Sequence, residues 1–178
     1  GVQTCALPIC AGARTRRASG YAGAGGVVVE EGEWLRAHGL EFGVEVVTAA
    51  TCGMAIGYER AIHRAPAGIK TCLLVCVGAT VYAHVGQALS EGVAQADPSR
   101  VAAQIVSGIG FLGAGAILRD GASVHGLTTA ATIWLLGALG IVIGCGFPVS
   151  GALLTAVMLV LIEVARRVEQ RWLPRAEG

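Results

Sequence analysis

Four long stretches of the chain contain no charged residue and are strongly apolar. They are 13, 20, 18 and 42 residues long and run over Val46–Tyr58, Thr71–Ser90, Val101–Leu118 and Gly121–Ile162. A helix needs about 20 residues to cross a hydrocarbon core of about 30 Å. The second and third stretches each fit one crossing, and the first does so if it starts near Phe42. The fourth fits two, separated by a glycine–proline turn at 144–148. The pattern predicts five helices, at 42–58, 71–89, 99–118, 127–144 and 148–165.

The continuity of these stretches distinguishes between the two membrane architectures. A barrel strand alternates apolar and polar residues over about ten positions, whereas here the apolar runs are unbroken. Composition agrees, since 54% of the 178 residues are hydrophobic and 14% are charged, against roughly 25% charged in soluble domains. We therefore predict an all-α fold, a polytopic bundle of five transmembrane helices, and exclude an ordinary soluble enzyme. The net charge of +1 gives no indication of a nucleic-acid partner.

The basic residues predict an orientation. They are concentrated between the first and second helices, after the third helix and after the fifth: Arg60, Arg64, Lys70, Arg119, Arg166, Arg167, Arg171 and Arg175. Basic residues favour cytoplasmic loops, so the N-terminus is expected outside and the C-terminus in the cytoplasm. Residues 42–165 then form the membrane domain and 166–178 a basic cytoplasmic tail.

The N-terminal part of the chain does not show this pattern. Residues 1–9, GVQTCALPI, are similar to the translation of a widely used sequencing-library adapter, so we interpret them as an artefact. Residues 10–41 are expected to be a disordered or non-native leader.

Of the six cysteines, Cys72 and Cys76 share a helix face. Without a nearby histidine to complete a ligand set, they are expected to be buried apolar residues rather than a metal or redox site.

The third helix is unusually rich in glycine. Gly108, Gly110, Gly113 and Gly115 lie within eight residues, and each costs about 1 kcal/mol relative to alanine in a helix interior. Small residues compensate by letting membrane helices approach closely, so these four are predicted to be helix-packing residues and the third helix to be central. The segment contains a G-x-G-x-x-G pattern, but it lies inside an apolar span with no preceding strand, which excludes a dinucleotide site. A broken or re-entrant helix remains an alternative.

Polar residues at membrane depth are the candidates for function. Gln104 and Ser107 on the third helix and Thr128 and Thr129 on the fourth are equally compatible with function and with interhelical hydrogen bonds. For Glu45 and His84 the favoured interpretation is snorkelling to a nearby interface.

The motifs in these segments resemble those of the MgtC/SapB family of bacterial membrane proteins. The chain reads Gly-Tyr-Glu-Arg at 57–60, Gly-Ile-Lys-Thr at 68–71, Arg-Val-Ala-Ala-Gln at 100–104 and Gly-Leu-Thr-Thr-Ala-Ala at 126–131. Between the last two lies the glycine-rich segment 107–115, followed by the basic Arg119. The chain departs from the family pattern at Ala61, at Lys70 in place of arginine, and at His125. Lysine keeps the charge but lacks the planar fork of arginine, which leaves a bidentate contact in doubt.

The resemblance implies an inner-membrane protein with five helices that supports growth at low magnesium or under acid and intracellular stress. It is a virulence-associated family, and many members carry a further cytoplasmic domain that we expect to be absent or truncated here. A non-catalytic regulator that acts on another membrane protein, such as the ATP synthase, is favoured over a small magnesium transporter or channel. An enzyme is not expected, and neither is a cofactor or a bound metal. The expected partners are the lipid bilayer, another membrane protein and a second copy of the chain.

One charged cluster is predicted to be the most important for function. Glu59 and Arg60 end the first helix, Lys70 opens the second and Arg119 follows the third. We expect Glu59 to pair with one of these three bases and to fix the packing of the first three helices. The full set of candidate functional residues is Glu59, Arg60, Lys70, Arg100, Gln104, Ser107, Arg119, Thr128 and Thr129.

Overall fold

The computed structural model describes residues 31–90, 97–120 and 123–172 of the chain. Five helices follow one another: α1 Glu31–Ile62, α2 Ile69–Ser90, α3 Pro98–Gly115, α4 Leu127–Gly144 and α5 Pro148–Trp172. A short antiparallel hairpin, β1 Leu118–Asp120 and β2 Ser123–His125, connects α3 to α4, with Leu118 opposite His125. The all-α membrane bundle predicted from the sequence is confirmed.

Four of the helices in the described part of the chain are long and apolar enough to cross a membrane. They are α2, α4, α5 and the His38–Ile62 portion of α1. The 18 residues of α3 include Arg100, Gln104 and four glycines. Helix α3 is long enough, but it is not apolar enough to count as a membrane span by the same measure. The protein is therefore a multi-pass membrane protein, and a fifth crossing by α3 stays a prediction.

Local signals in the sequence account for the helix ends. The Asp97 carboxylate accepts a hydrogen bond of 3.0 Å from the Ser99 backbone N–H, and Pro98 occupies the first turn of α3. Hydrogen bonds from the Ser99 side chain and backbone hold the pKa of Asp97 below its ordinary value. Gly126 precedes α4 with a φ of 88°, and a Cβ there would collide with the Ala116 carbonyl oxygen. Only glycine fits this position.

Helix α1 differs from the prediction at its start. It begins at Glu31 rather than near 42, so residues 31–41 of the predicted leader are helical. A helix propagates readily once nucleated, and charge in its first turns does not stop it outside the apolar span. The rest of the predicted leader and the proposed adapter segment lie outside the described residues. At the other end, residues 166–172 of the predicted tail continue α5.

The core lies between α1, α2 and α4. Its buried residues are Ala49, Cys52, Ile56, Cys72, Cys76, Leu136, Leu139 and Ile143. Cys72 and Cys76 are thus buried among apolar side chains, as predicted. Helix α5 packs on α1 and α4, and α3 packs on α2 and α4.

The predicted central position of α3 is wrong. Within α3 only Ile109 and Gly113 are buried, and most of the helix faces outward from the edge of the bundle. The central positions belong to α2 and α4, whose buried faces contact helices on two or more sides. Glycine content indicated close packing, but it did not indicate whether the packing partner belongs to this chain.

Candidate functional site

An acid and a base meet inside the membrane domain. Glu45 of α1 is 2% exposed and His84 of α2 is 4% exposed. Glu45 Oε2 lies 2.6 Å from His84 Nδ1, which is hydrogen-bond distance, and the Phe42 ring packs 4.9 Å from the imidazole ring. The expected snorkelling of these two side chains is therefore wrong, since both point into the bundle and satisfy each other there.

The antiparallel arrangement of α1 and α2 places the two groups at one height. Glu45 is about 17 residues before the end of α1 at Ile62, and His84 is about 15 residues after the start of α2 at Ile69. Two glycines bring the helices together below the pair. A Cβ on Gly53 would lie 2.8 Å from Leu73 Cα, and one on Gly57 would lie 2.6 Å from Ile69 Cα. Side chains larger than hydrogen at either position would push α1 away from α2.

A polar stripe continues from His84 along the buried face of α2. One turn earlier, the Thr80 hydroxyl lies 3.0 Å from the carbonyl oxygens of both Cys76 and Gly140. One turn later, Gln87 Nε2 donates to the Gly144 carbonyl oxygen at 3.3 Å. The bonds to Gly140 and Gly144 connect α2 to α4, so α2 is hydrogen-bonded through one face to α4 and, through His84, to α1.

A second charged cluster lies at the opposite end of α1, about 21 Å along the helix from Glu45. Glu59 Oε2 lies 3.8 Å from Arg60 Nη1, and Glu59 Oε1 lies 3.2 Å from His63 Nδ1. The Glu59 and Arg60 side chains are only 16% and 12% exposed. Glu59 Oε2 and Arg60 Nε are buried and form no hydrogen bond with the described part of the chain. Of the three bases predicted for Glu59, the structure therefore supplies Arg60, and it adds His63.

The other predicted residues are dispersed. Lys70 at the start of α2 and Arg119 in β1 are exposed at the same end of the bundle as Glu59. Arg100, Gln104 and Ser107 are exposed along α3. Thr128 is exposed while Thr129 is buried at the start of α4. Because α3 lies on the far side of α2 and α4, Glu59 does not hold α1 directly against the glycine-rich segment.

The four glycines predicted to pack do not behave alike. Gly113 faces Ala130 of α4, where an added Cβ would lie 3.6 Å from the Ala130 carbonyl oxygen. Around Gly108, Gly110 and Gly115, a Cβ would meet no described atom within 4 Å. The prediction is therefore wrong within this chain for these three. The close helix contacts are made instead by Gly53 and Gly57 of α1 and by Gly140 and Gly144 of α4.

A lateral groove lies between α2 and α3. Its volume is about 470 Å³, and its walls are apolar apart from Gln104 and Tyr82. Gly78 and Gly108 widen it from opposite sides, because neither carries a side chain into the space. The groove therefore lies between Gly108 of α3 and a partly exposed face of α2 that carries Leu74 and Tyr82.

Two signals in the sequence would have identified the residues that were missed. Gly53 and Gly57, like Gly140 and Gly144, are spaced as G-x-x-x-G, which is a known pattern of close membrane-helix contacts. Counting outward from the short loop between α1 and α2 pairs Glu45 with His84. Two ionisable residues at equal depth in adjacent spans can pair with each other, so a pair is a simpler explanation than two separate snorkelling side chains.

Comparisons with known proteins identify the family. The family model described as "MgtC family" matches residues 46–171. An uncharacterized protein of Haemophilus influenzae is 41% identical over 138 residues, which are 74% of this chain and 58% of that protein. Protein MgtC of Brucella abortus is 44% identical over 115 residues, 65% of this chain and 47% of the relative. "Putative magnesium transporter YhiD" of Escherichia coli K12 is 38% identical over 136 residues, 74% of this chain and 63% of the relative.

The chain thus spans about half to two thirds of the length of these relatives. No solved structure matches it. The matched residues include the second half of α1 and all of α2 to α4, and they extend almost to the end of α5. On this match, which covers well over half of its residues, the chain belongs to the MgtC family.

Proposed function

We propose that this chain is a non-catalytic regulator in the bacterial inner membrane that supports adaptation to low magnesium by contacting another membrane protein. The exposed glycines of α3 carry the proposal. Gly108 and Gly110 lie inside α3 and Gly115 is its last residue, and a Cβ added at any of the three would meet no described atom within 4 Å. Inside the helix, Gly108 and Gly110 each cost about 1 kcal/mol relative to alanine. The two are about 200° apart around the helix, so Gly110 faces away from the groove that Gly108 lines. A second helix packed against Gly110 would offset its cost, because small residues allow backbone-to-backbone contact in lipid.

The Glu59 cluster supports the same proposal. It contains two buried polar atoms without hydrogen-bond partners in the described chain, and such atoms are costly unless another group satisfies them. A partner that contacted this end of α1 and shifted these side chains could supply the missing donor and acceptor. The family resemblance makes the ATP synthase the first partner to test, with a second copy of the chain as the alternative.

Substitution of the α3 face tests this proposal. Gly110→Leu adds a bulky side chain where the monomer has open space, so we expect normal membrane levels and unchanged thermal stability. Growth support at low magnesium, measured in a strain that lacks its own relative of this chain, should be lost. The matched control is Phe111→Leu, which keeps a large apolar side chain at the neighbouring exposed position and should grow like the parent. Normal growth of Gly110→Leu would contradict the proposal.

The orientation belongs to the same proposal. The end of the bundle that holds Arg60, Arg64, Lys70 and Arg119 also holds the basic end of α5, and clustered basic residues favour the cytoplasm. We therefore place the C-terminus inside, the N-terminus outside, and α3 as a fifth crossing beside α2 and α4. Reporter fusions after Arg64 and Arg171 should give cytoplasmic signals, and one after Gln95 an external signal. A cytoplasmic signal at Gln95 would overturn the arrangement.

A small magnesium transporter is the second candidate. The name of the YhiD relative favours it, and so does the presence of ionisable groups inside the membrane domain. Flux of magnesium through liposomes that contain only this protein distinguishes the two functions. A regulator should give none, and a transporter should give flux without any partner.

A further inference from the structure

The Glu45–His84 pair is the best-defined ionisable site in the described part of the chain. The Oε2–Nδ1 distance of 2.6 Å and the almost complete burial of both side chains place one acidic and one basic group in direct contact. The pair lies about 10 Å inside the span that begins at His38. Nothing in the proposed contact with a partner through α3 uses it, because α3 lies on the other side of α2.

The chemistry of such a pair limits how many protons it holds. With one proton, shared as carboxylate and imidazolium or as carboxylic acid and imidazole, the pair is neutral. Gain of a second proton leaves a net positive charge in the bundle, and loss of the first leaves a net negative charge. Either charge is unfavourable where water is excluded. The neutral pair is therefore the state in which α1 and α2 fit best.

The titratable groups described at this end of the bundle come from four helices. On α1, Glu41 and His38 lie one and two turns outward from Glu45. Asp97 and Arg100 lie at the start of α3 and are exposed. Helix α4 contributes no charged residue and is followed by the Cys145 thiol, while the first charged residue of α5 is Glu163, at the far end. Because both members of the pair are buried between α1 and α2, a change in the charge of the pair acts on the α1–α2 contact.

We propose that Glu45 and His84 form a membrane-embedded proton-binding site whose occupancy sets how tightly the outer half of α1 packs against α2. The ligand is a single additional proton. When the outer side is acidified, the proton adds to whichever partner is free to accept it, and the carboxyl–imidazole contact loses its opposite charges. The Phe42 ring, packed on His84, then loses its fixed surface, and α1 loosens above Gly53. The site does not depend on the proposed regulatory function, and only the side from which the proton arrives rests on the proposed orientation.

The test uses the full chain in lipid nanodiscs. Infrared difference spectra and thermal unfolding are measured between about pH 8 and about pH 4, a range that includes the ordinary pKa values of both histidine and glutamate. We expect the wild-type unfolding temperature to fall by several degrees on acidification. The difference spectrum should contain a carboxyl or imidazole signal that is lost in the double variant Glu45→Gln with His84→Gln. That variant should also lose most of the shift in unfolding temperature, because two amides can still bond but cannot titrate.

Two matched controls separate this site from other ionisable groups. Glu169→Gln and His125→Gln remove an exposed carboxylate and an exposed imidazole that lie away from the pair and should respond to pH like the wild type. If the double variant does not reach the membrane, the exchanged chain, Glu45→His with His84→Glu, keeps both groups and should restore the pH response. A wild-type unfolding temperature that does not change with pH would overturn the proposal, as would an exchanged chain that folds without the response. Equal spectra and equal shifts in the wild type and double variant would overturn it too.

Discussion

Gly140→Leu should prevent assembly of the bundle. A Cβ at this position would lie 2.5 Å from the Cys76 carbonyl oxygen and 2.6 Å from Ala79 Cβ, and leucine adds three further carbons. Two of the three atoms nearest to it are backbone atoms of α2, which cannot move without breaking that helix. Overpacking of a core costs about 1–3 kcal/mol and occasionally more, and here we expect the upper end. The hydrogen bond of the Thr80 hydroxyl to Gly140 would also be lost.

The comparison with Gly110→Leu makes this prediction specific. Both variants replace a glycine inside an apolar helix with the same side chain, but Gly110 faces open space and Gly140 faces α2. Membrane levels by immunoblot and unfolding temperature in detergent should fall sharply for Gly140→Leu and stay at the parental value for Gly110→Leu. Equal values for the two variants would show that the α2–α4 contact has been misplaced.

Glu59→Gln should abolish growth support at low magnesium while it leaves topology intact. The Glu59 carboxylate is the negative charge beside Arg60 and His63, at 3.8 and 3.2 Å. Glutamine keeps the shape but removes the charge, which leaves the mostly buried Arg60 guanidinium without its counter-ion. A buried charged donor left unsatisfied costs about 1–3 kcal/mol or more, so the geometry of this end of α1 should change.

Two further variants show whether the lost charge of Glu59 is the cause of the lost growth. Glu59→Asp keeps the charge on a shorter side chain and should retain part of the growth. Glu169→Gln removes an exposed carboxylate from α5 and should grow like the parent. Growth of Glu59→Gln that equals the parent, at matched membrane levels, would mean that the acid is merely solvated and that the basic residues serve orientation alone.

Helix positions were predictable wherever composition changes abruptly. Helix α4 occupies 127–144 as predicted, because a glycine precedes it and a glycine–proline turn follows it. The start of α1 was placed too late because residues 31–41 carry charge, which ends an apolar span but does not end a helix. The hairpin at 118–125 could not be anticipated from periodicity, since its strands are three residues long.

The candidate site was harder to predict because it depends on which helices are neighbours. A glycine stripe on α3 and the glycine pairs of α1 and α4 look alike in sequence, and only the packing order shows which of them are used within the chain. In the same way, Glu45 and His84 are separated by 39 residues and become a pair only when α1 and α2 form a hairpin. For Glu59 the sequence left three bases open, and only the structure shows that Arg60 is the one it pairs with, at 3.8 Å.

The measurement that tests the central claim most directly is magnesium flux into liposomes that contain only the purified protein. Entry is followed with an enclosed magnesium indicator, with protein-free liposomes as the baseline and an added ionophore to show that the indicator responds. A regulator that acts through a partner should give no entry above the baseline, while the same preparation recovers a partner from native membranes in the parent but not in Gly110→Leu. Saturable magnesium entry through the purified chain alone would contradict the account.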